Sequence, residues 1–343
     1  MVLPDNGILS GKCRAIRPDR PRRAGSRCTH ESWYYRASGT AMEPIMSEPT
    51  IADGLEPFLA SLGRTTIRAN TLRAYRADLR IAAIALPAPL AHITAAQIDA
   101  FLSAPAVACA TLARRRATLQ RFFRWARREG FVVTNPCADV DPIRLPRRLP
   151  RPIESDADRR AVDALIAASP QPYRLIFTLL RETGMRAGEV LALNVGDITL
   201  DLGREGLRVR APKNGVERIV ILGPDATPRA LRGLRVYLKS LGSVPPHTPL
   251  WISDRGSRLS YAALHYQWTQ RIIAAGLTVV RDGATLPRYT LHQLRHTHGT
   301  ELIEQGQSLA IVQRRLGHAD IRQTQGYADF SETQQRAALA KRR

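Results

Sequence analysis

Hydrophobic residues between positions 50 and 140 recur at the spacing of amphipathic helices. Four segments show this spacing, and each predicts a helix with one buried face. Their apolar positions are Ile51, Leu55, Phe58, Leu59 and Leu62; Leu72, Tyr75, Leu79, Ile81 and Ile84; Ile98, Phe101 and Leu102; and Leu112, Leu119, Phe122, Phe123 and Trp125. Thr94 precedes the third segment and is a suitable N-cap, because its hydroxyl can accept a backbone N–H. The pattern predicts a helical domain over residues 50–140.

A change of composition follows this domain. Asn135-Pro136 ends the last helical pattern, since the residue before a proline disfavours the helical region. Residues 141–153 read DPIRLPRRLPRPI, and a segment so rich in proline forms an extended, semi-rigid spacer. We therefore predict a positively charged linker over 141–154 and a domain boundary there.

Residues 155–343 combine helical patterns with one cluster of alternating residues. An apolar stripe over 175–180 stops at Gly184, and alternation between 198 and 222 predicts strands. Asn214-Gly215 is a strong signal for a two-residue hairpin. Further helices are predicted at 227–240, 260–275, 291–305, 308–316, 320–328 and 331–341. The predicted fold class is mainly α, with a helical N-terminal domain and an α+β C-terminal domain that contains a small antiparallel sheet.

The first 49 residues show no sustained periodicity. They mix Pro, Gly, Ser and Arg, a composition typical of disorder, and they lack the strand pattern of an added domain. We predict a disordered basic extension over 1–49. Two interpretations of it stay open: a functional arm, or an extension without function.

The charge of the chain narrows the class of partner. Its 343 residues carry a formal net charge of +21, with a sequence pI of about 11.0. Such a surplus favours a polyanion, because lysine and arginine release counterions condensed on phosphates. The alternative is a basic protein that does not bind nucleic acid.

Cysteine usage and hydropathy exclude other classes. The four cysteines form no CxxC pair and have no histidine at zinc-ligand spacing, so neither a disulfide scaffold nor a metal site is expected. Their usage fits a reducing cytoplasm. No apolar run reaches the roughly 18 residues that cross a bilayer, so we expect no membrane partner.

Arginines crowd the faces of the fourth helical segment that do not carry its apolar stripe. A helix of this kind can bury one side in a core and lay the other on a phosphate backbone. The candidate DNA-binding residues are Arg114, Arg115, Arg116, Arg121 and Arg124. Taken singly, each arginine is more simply a solvated surface charge.

Several polar residues of the C-terminal domain suit phosphodiester chemistry. Cleavage by a side chain needs a nucleophile, a base, cations on the non-bridging oxygens and an acid for the leaving oxygen. No acidic cluster suggests a metal pair, so arginines would supply the cations. The candidates are Arg186, Glu189, Lys213, His292, Arg295, His318 and Tyr327. Each alone has a plain alternative as a packing, surface or turn residue.

In this order and spacing, the candidates resemble the tyrosine recombinase (phage integrase) family. The matching segments are TGMRAGEV, the hairpin at Lys213, LHQLRHTHGT, RRLGHAD and TQGYAD. The resemblance covers about residues 50–340 and implies a simple two-domain, Xer-like layout. Residues 50–140 resemble the helical, SAM-like core-binding domain of the family, and 155–343 its catalytic domain.

The resemblance implies a role for each residue at the reacting groups. Tyr327 would attack the phosphate and leave a 3′-phosphotyrosine and a free 5′-hydroxyl. His292 would be the base toward Tyr327, and Lys213 the acid for the leaving 5′-oxygen. His296 and His298 have no role in the family pattern and are interpreted as structural.

The resemblance also assigns the groups that hold the phosphate. Arg186 and Arg295 would clamp its non-bridging oxygens, a task that suits planar guanidinium donors. His318 would donate a further hydrogen bond, and Glu189 would orient Arg186. The resemblance implies no cofactor and no metal.

The implied function is site-specific recombination in the cytoplasm. Its expected partners are double-stranded DNA with a specific site, further copies in a tetramer on DNA, and a second recombinase or an accessory bending protein. Two alternatives stay open: relaxation of DNA in the manner of a type IB topoisomerase, and regulation by a DNA-binding protein without catalysis.

Overall fold

Two compact units make up the chain, Met1–Pro146 and Arg147–Arg343. The computed structural model describes residues 35–38, 41–44, 48–63, 67–103, 107–146, 149–210, 217–317 and 324–327. The boundary between the units falls inside the proline- and arginine-rich segment 141–154 that the sequence predicts as a linker.

The N-terminal unit contains the helices that the spacing of apolar residues predicts. They are α1 (Ile51–Gly63), α2 (Ala69–Ala85), α3 (Ala95–Leu102) and α4 (Cys109–Arg128), with a short 3₁₀ turn at Leu90–His92. The predicted cap of α3 is present as a capping box, in which Thr94 accepts from the backbone of Gln97 and the Gln97 side chain accepts from the backbone of Thr94. The prediction of a helical N-terminal domain is confirmed.

Aromatic residues hold α1 against α4. Phe58 meets Phe122 edge-to-face with ring centroids 5.5 Å apart, and both lie against Trp125. Gly54 makes this close approach possible, because a methyl group there would lie 2.9 Å from Cζ of Phe122. The packing of α1 on α4 therefore depends on one small residue opposite the rings of Phe122 and Trp125.

A hairpin lies in the region predicted to lack regular structure. Strands β1 (Tyr35–Ser38) and β2 (Ala41–Pro44) pair antiparallel. No strand was predicted before residue 50. Two residues separate the strands in the sequence, which is a spacing typical of a tight hairpin. The other predictions for residues 1–47 lie outside the described residues.

The C-terminal unit combines helices with two small sheets. Its helices are α5 (Asp156–Ala168), α6 (Tyr173–Thr183), α7 (Ala187–Leu191), α8 (Pro228–Leu241), α9 (Tyr261–Ala274), α10 (Leu291–Glu304) and α11 (Leu309–Leu316). Its strands are β3 (Ile198–Thr199), β4 (Gly206–Val209), β5 (Arg218–Ile221), β6 (Thr278–Arg281) and β7 (Ala284–Pro287). Residues 324–327 are also helical.

The predicted sheet is present, and a second hairpin accompanies it. Strands β3, β4 and β5 form one antiparallel sheet in that order, with Leu207 opposite Val220. Strands β6 and β7 form a separate hairpin that the sequence analysis missed. Its turn is Asp282-Gly283, with φ values of 49° and 75°. Such a dipeptide is itself a strong hairpin signal, so the omission was avoidable.

Helix α6 lies at the centre of the C-terminal unit. It packs against α5, α8 and α10, and its apolar residues are buried on almost every side. Two buried indoles nearby donate hydrogen bonds to backbone carbonyls, Trp251 to that of Val190 and Trp268 to that of Tyr289. The helix ends at Gly184 with φ +64°, where a methyl group would lie 2.6 Å from the His298 ring. This packing brings the end of α6 directly to α10.

Candidate active site

Arg295 lies on α10 and is 2% exposed. Its Nη1 donates to the carbonyl of Gly184 and its Nη2 to that of Leu316, each at 2.7 Å. These carbonyls stand at the ends of α6 and α11, where the helix dipole favours a cation. Each terminal nitrogen carries a second hydrogen. The guanidinium is therefore held in a fixed orientation with donor capacity remaining.

The surroundings of Arg295 affect its pKa without removing its charge. Burial, and then the positive charge of Arg186, lower the pKa of Arg295 to about 10. At that value the guanidinium is still protonated at neutral pH. The site thus contains a buried cation in reach of a second one, an arrangement that favours an anion.

Arg186 precedes α7 and is paired with Glu189 one turn later. Its Nη1 donates to Oε1 of Glu189 at 3.0 Å, and its backbone N–H donates to Oε2 at 3.1 Å. The carbonyl of Gly317 lies 3.4 Å from the same Nη1. Contacts from both sides restrain the Arg186 side chain, and an orienting role for Glu189 stays a prediction.

Glu189 keeps its negative charge in this buried position. Burial alone would raise the pKa of the carboxyl, but hydrogen bonds and charges from Arg218 and Arg186 lower it below its ordinary value. Arg218 is a residue that the sequence analysis did not single out. The described part of the site therefore holds Arg186, Arg218 and Arg295 around one carboxylate.

Tyr327 lies in the helical segment 324–327 and is 2% exposed. Its ring packs against Val312 and Leu316 of α11. It also lies on α10 at Gly299, where a methyl group would come within 2.9 Å of the ring. The structure thus brings the predicted nucleophile into contact with the helix that carries Arg295.

Both predicted clamp arginines act electrostatically on Tyr327. Burial raises the pKa of the phenol, whereas the charges of Arg295 and then Arg186 lower it. The net direction is upward, so the phenol is protonated at neutral pH. Tyr327 therefore lies within the electrostatic range of both guanidinium groups.

A histidine beside Arg295 contacts the phenol. Nδ1 of His296 lies 3.0 Å from Oη of Tyr327. The ring of His292, the predicted base, stands edge-on to the His296 ring with centroids 4.6 Å apart. Burial, then the charges of His292 and Arg295, lower the pKa of His296 to about 4. The neutral imidazole can accept the phenol proton in the tautomer that leaves Nδ1 unprotonated.

His298, three residues after Arg295 on α10, contacts α11. Its Nε2 accepts a hydrogen bond of 3.1 Å from Nε of Arg315 on α11. Burial, and then the charge of Arg315, lower the pKa of His298 to about 3. This neutral, enclosed ring joins α10 to α11, in agreement with the interpretation of His298 as structural.

Two predicted catalytic residues lie outside the described residues. They are Lys213, in the segment between β4 and β5, and His318, which directly follows Gly317. Their roles stay predictions, and the described site rests on Arg186, Arg295, Tyr327 and their neighbours.

Among the predicted DNA-binding arginines of α4, Arg114 and Arg116 donate to a carboxylate and to a backbone carbonyl of their own unit. Arg114 donates at 2.6 Å to Asp78, a carboxylate that is 2% exposed. Arg116 donates from Nε at 3.1 Å to the carbonyl of Val140. These contacts give both arginines a structural task, and DNA contact by them stays a prediction.

The other predicted arginines of α4 differ in their surroundings. Arg115 lies 5.6 Å from the centroid of the Phe101 ring, and Arg121 lies 5.8 Å from that of Tyr75. Arg124 is exposed. A pocket of about 600 Å³ lies beside α4, lined by Phe58, Tyr75 and Trp125 together with Arg121, Arg124 and Arg128. DNA binding at this surface also stays a prediction.

In the described part of the chain, no group of three or more His, Cys, Asp or Glu residues is placed to hold a metal ion. Nor does that part contain a helix long and apolar enough to cross a membrane.

Comparison with known families agrees with this geometry. Residues 156–334 match the phage integrase family, and residues 55–130 match the phage integrase N-terminal SAM-like domain. The tyrosine recombinase XerC of Chromohalobacter salexigens is 33% identical over 282 residues, which cover 79% of this chain and 89% of that protein. XerC of Mycobacterium tuberculosis strain H37Ra is 32% identical over 288 residues, covering 80% and 92%.

Solved structures show the same fold. A lambda integrase dimer bound to a COC′ core site is similar with a TM-score of 0.65 and 25% identity, covering 81% of this chain and 95% of that one. XerH bound to palindromic difH substrate has a TM-score of 0.65 at 20% identity, covering 85% and 84%, and shows the fold alone. The fold and the arginine–tyrosine site together define a tyrosine-type site-specific recombinase. The chain belongs to the phage integrase family.

Proposed function

We propose that this protein cleaves and rejoins DNA through a covalent bond between Tyr327 and a 3′-phosphate. One observation carries the proposal: Arg186, Arg295 and Tyr327 come from three separate segments and lie within electrostatic range of one another. Nothing in the local sequence requires this convergence. A site for a single phosphate accounts for it.

The balance of charge in the site suits a phosphate. Arg186, Arg218 and Arg295 carry three positive charges, and Glu189 carries the negative charge that faces them. A surplus of positive charge is left for an anion. Negative charge grows on the non-bridging oxygens as the phenol attacks, and donors already in place stabilise it most.

The cleavage step exchanges one phosphate ester for another. Oη of Tyr327 forms a bond to phosphorus while the bond to the 5′-oxygen breaks. The phenol proton passes to a histidine, and Lys213 gives a proton to the 5′-oxygen. His318 donates to the phosphate. A 5′-hydroxyl from another strand then reverses the step, so no high-energy cofactor is needed.

The contact between His296 and the phenol changes one of these assignments. The family pattern gives the proton of Tyr327 to His292, whereas Nδ1 of His296 lies within hydrogen-bond distance of the phenol oxygen. We assign proton acceptance to His296, and His292 then acts on the His296 ring, which it contacts.

The organisation of the chain suggests how DNA is held. We propose that residues 50–140 bind double-stranded DNA, that 141–154 link the domains and that 155–343 carry out catalysis. A tetramer on DNA is supported by the resemblance to a lambda integrase tetramer bound to a Holliday junction, which has a TM-score of 0.63. A second recombinase or an accessory bending protein is a further candidate partner. We place the activity in the bacterial cytoplasm, since the XerC relatives are bacterial proteins and the cysteine usage fits a reducing compartment.

The experiment that tests the proposal is the capture of the covalent adduct. Purified protein is incubated with fragments of its own genomic DNA, denatured, and the attached DNA is sequenced. We expect wild type to yield adducts at a defined sequence. Tyr327→Phe removes the nucleophilic oxygen alone, so it should yield no adduct while DNA affinity is unchanged. An adduct that persists in Tyr327→Phe contradicts the proposal.

The same material separates the two alternatives. A type IB topoisomerase relaxes a supercoiled plasmid that lacks the captured sequence, whereas a recombinase requires that sequence. A regulator without catalysis forms no adduct and is unaffected by Tyr327→Phe. We expect site-dependent adducts and recombination between two plasmid-borne copies of the site.

A further inference from the structure

Arg218, the first residue of β5, lies inside the site although no family motif singled it out. Its Nη1 donates to Oε1 of Glu189 at 3.2 Å, and its Nη2 donates to Oε2 at 2.7 Å. The two side chains are 12% and 6% exposed. A buried, bidentate arginine–carboxylate pair fixes the direction of both groups.

Glu189 is shared between two arginines. Arg186 donates to the same Oε1 at 3.0 Å, and its backbone N–H donates to Oε2. A carboxylate has enough lone pairs for both partners, so Arg218 binds without displacing Arg186. We propose that Arg218 is a positioning residue for DNA cleavage, which holds Glu189 so that the Arg186 guanidinium faces the scissile phosphate. This inference rests on the proposed function, because it takes that phosphate to be the ligand of Arg186.

Arg218 also packs on the residue that ends α11. A methyl group at Gly317 would lie 2.6 Å from Cζ of Arg218 and 2.7 Å from its Nε. The carbonyl of Gly317 lies 3.4 Å from Nη1 of Arg186. Arg186 and Arg218, which both bind Glu189, therefore both contact Gly317 as well. These contacts hold β5, α7 and the end of α11 together.

A second route from Arg218 to catalysis would pass through Lys213, which lies between β4 and β5 in the sequence. The contacts favour the route through Arg186. Within the described residues, the hydrogen bonds of Arg218 all go to Glu189, and its buried Nε has no hydrogen-bond partner. The side chain thus acts on the Glu189 carboxylate.

Arg218→Lys tests the geometry while keeping the charge. An ammonium is a point charge and cannot reproduce the planar, two-pronged contact. The readout is the single-turnover rate of Tyr327 adduct formation on a duplex that carries the captured cleavage site. We expect the rate at saturating DNA to fall about 100-fold, since small displacements of a catalytic group have effects of that size. The DNA concentration at half-saturation should not change, which separates positioning from binding.

A matched control lies on the neighbouring strand. Arg208 on β4 is 59% exposed, and its nearest carboxylate, on Glu217, is 3.9 Å away. Arg208→Lys makes the same chemical change in the same hairpin and should cleave at the wild-type rate. A wild-type rate in Arg218→Lys would overturn the inference while leaving the Tyr327 adduct, and thus the proposed function, intact. Absence of the adduct in wild type would instead remove the proposed function.

Coupling between Arg218 and Glu189 gives a second test. If Arg218 acts through Glu189, adding Arg218→Lys to Glu189→Gln should slow cleavage no further, because residues of one network are not additive. Multiplied losses would contradict the inference. Thermal unfolding of each variant sets a temperature at which all are folded. If Arg218→Lys does not fold, Glu189→Asp, whose shorter side chain cannot span both arginines, should show the same loss, and a wild-type rate there overturns the inference.

A change of leaving group separates the two routes. In a substrate with sulfur in place of the bridging 5′-oxygen, the leaving thiolate needs no proton, since a thiol has a pKa near 8.5. The loss in Arg218→Lys should persist on this substrate, because the phosphate clamp is still misdirected. Recovery of the wild-type rate would show that Arg218 acts through the acid Lys213, and would overturn the route through Arg186.

Discussion

Tyr327 carries its proton at neutral pH, because burial raises the pKa of the phenol above its ordinary value of 10.0. Arg295 and Arg186 act in the opposite direction without reversing the shift. Attack on phosphorus therefore needs a proton acceptor in contact with Oη. Within the described residues His296 makes such a contact, and its lowered pKa of about 4 leaves the imidazole unprotonated at neutral pH.

The assignment of the base is tested by comparing two histidines. Glutamine can keep a hydrogen bond but cannot take up a proton at neutral pH. We expect His296→Gln to slow adduct formation by about 100-fold or more, the usual contribution of a general base, and to do so more than His292→Gln. His265→Gln, at an exposed position on α9, is the control. A normal rate in His296→Gln together with a slow His292→Gln would return the role to His292.

The sequence could not have identified His296 or Arg218. Residues three and four apart are neighbours on a helix, so spacing groups both Arg295 and His296 with His292 and does not show which histidine meets Tyr327. The contact between His296 and Tyr327 depends on where residues 324–327 pack, which no local pattern specifies. Arg218 stands in an ordinary alternating strand, and its role depends on α7 and α11 meeting there. The motifs, by contrast, identified Arg186, Glu189, Arg295 and Tyr327, which the structure brings together.

Helix α10 is the element on which the site is built. It packs against α6 and α11, and this packing encloses the rings of His296 and His298 in neutral form. Their pKa values of about 4 and about 3 lie below the ordinary histidine value of 6.5. Below pH 6.5 the two histidines therefore bind protons in the unfolded chain, while in the folded helix they stay unprotonated until the pH approaches 4 and 3. Stability is fully present above that pH and is lost as the pH falls toward the folded values.

The expected loss of stability at low pH concerns α10 and can be measured on that helix. At pH 5 each histidine should lower the free energy of opening by about 2 kcal/mol relative to pH 8, from 1.36 kcal/mol for each pKa unit. Hydrogen exchange of the α10 amides gives this free energy. His298→Gln should remove about half of the loss that both histidines share. If the opening free energy in His298→Gln depends on pH as it does in wild type and in the control His265→Gln, then His298 is not buried in its neutral form.

The elements themselves were predictable to different degrees. Long amphipathic patterns identified α1 to α4, because their apolar spacing extends over several turns. No strand was predicted at the hairpins β1–β2 and β6–β7. In β6 and β7 no position is buried, so alternation carries little signal there, whereas the equally short β4 and β5 have buried residues and were predicted.

At the scale of the whole molecule, a charge of +21 predicts that DNA binding depends steeply on salt. Binding that neutralises six or more phosphates weakens by about 10³-fold or more between 50 and 200 mM salt. Several arginines do not add to the positive charge available for DNA, because carboxylates of the same chain neutralise them. Arg76 is one, with Nε and Nη2 donating to Glu56 at 2.9 and 2.7 Å.

This distinction between paired and unpaired arginines can be measured in the N-terminal unit. Arg124 is exposed on α4 beside the aromatic pocket, and no carboxylate pairs with it within the described residues. If it neutralises one phosphate, Arg124→Gln should reduce the slope of log Kd against log salt by about 1. Arg76→Gln removes the same charge in the same unit, but Glu56 already balances that charge, so the slope should stay near wild type. Equal slopes in all three proteins would show that α4 does not bind the phosphate backbone through Arg124, and would move the DNA contact to another face of the unit.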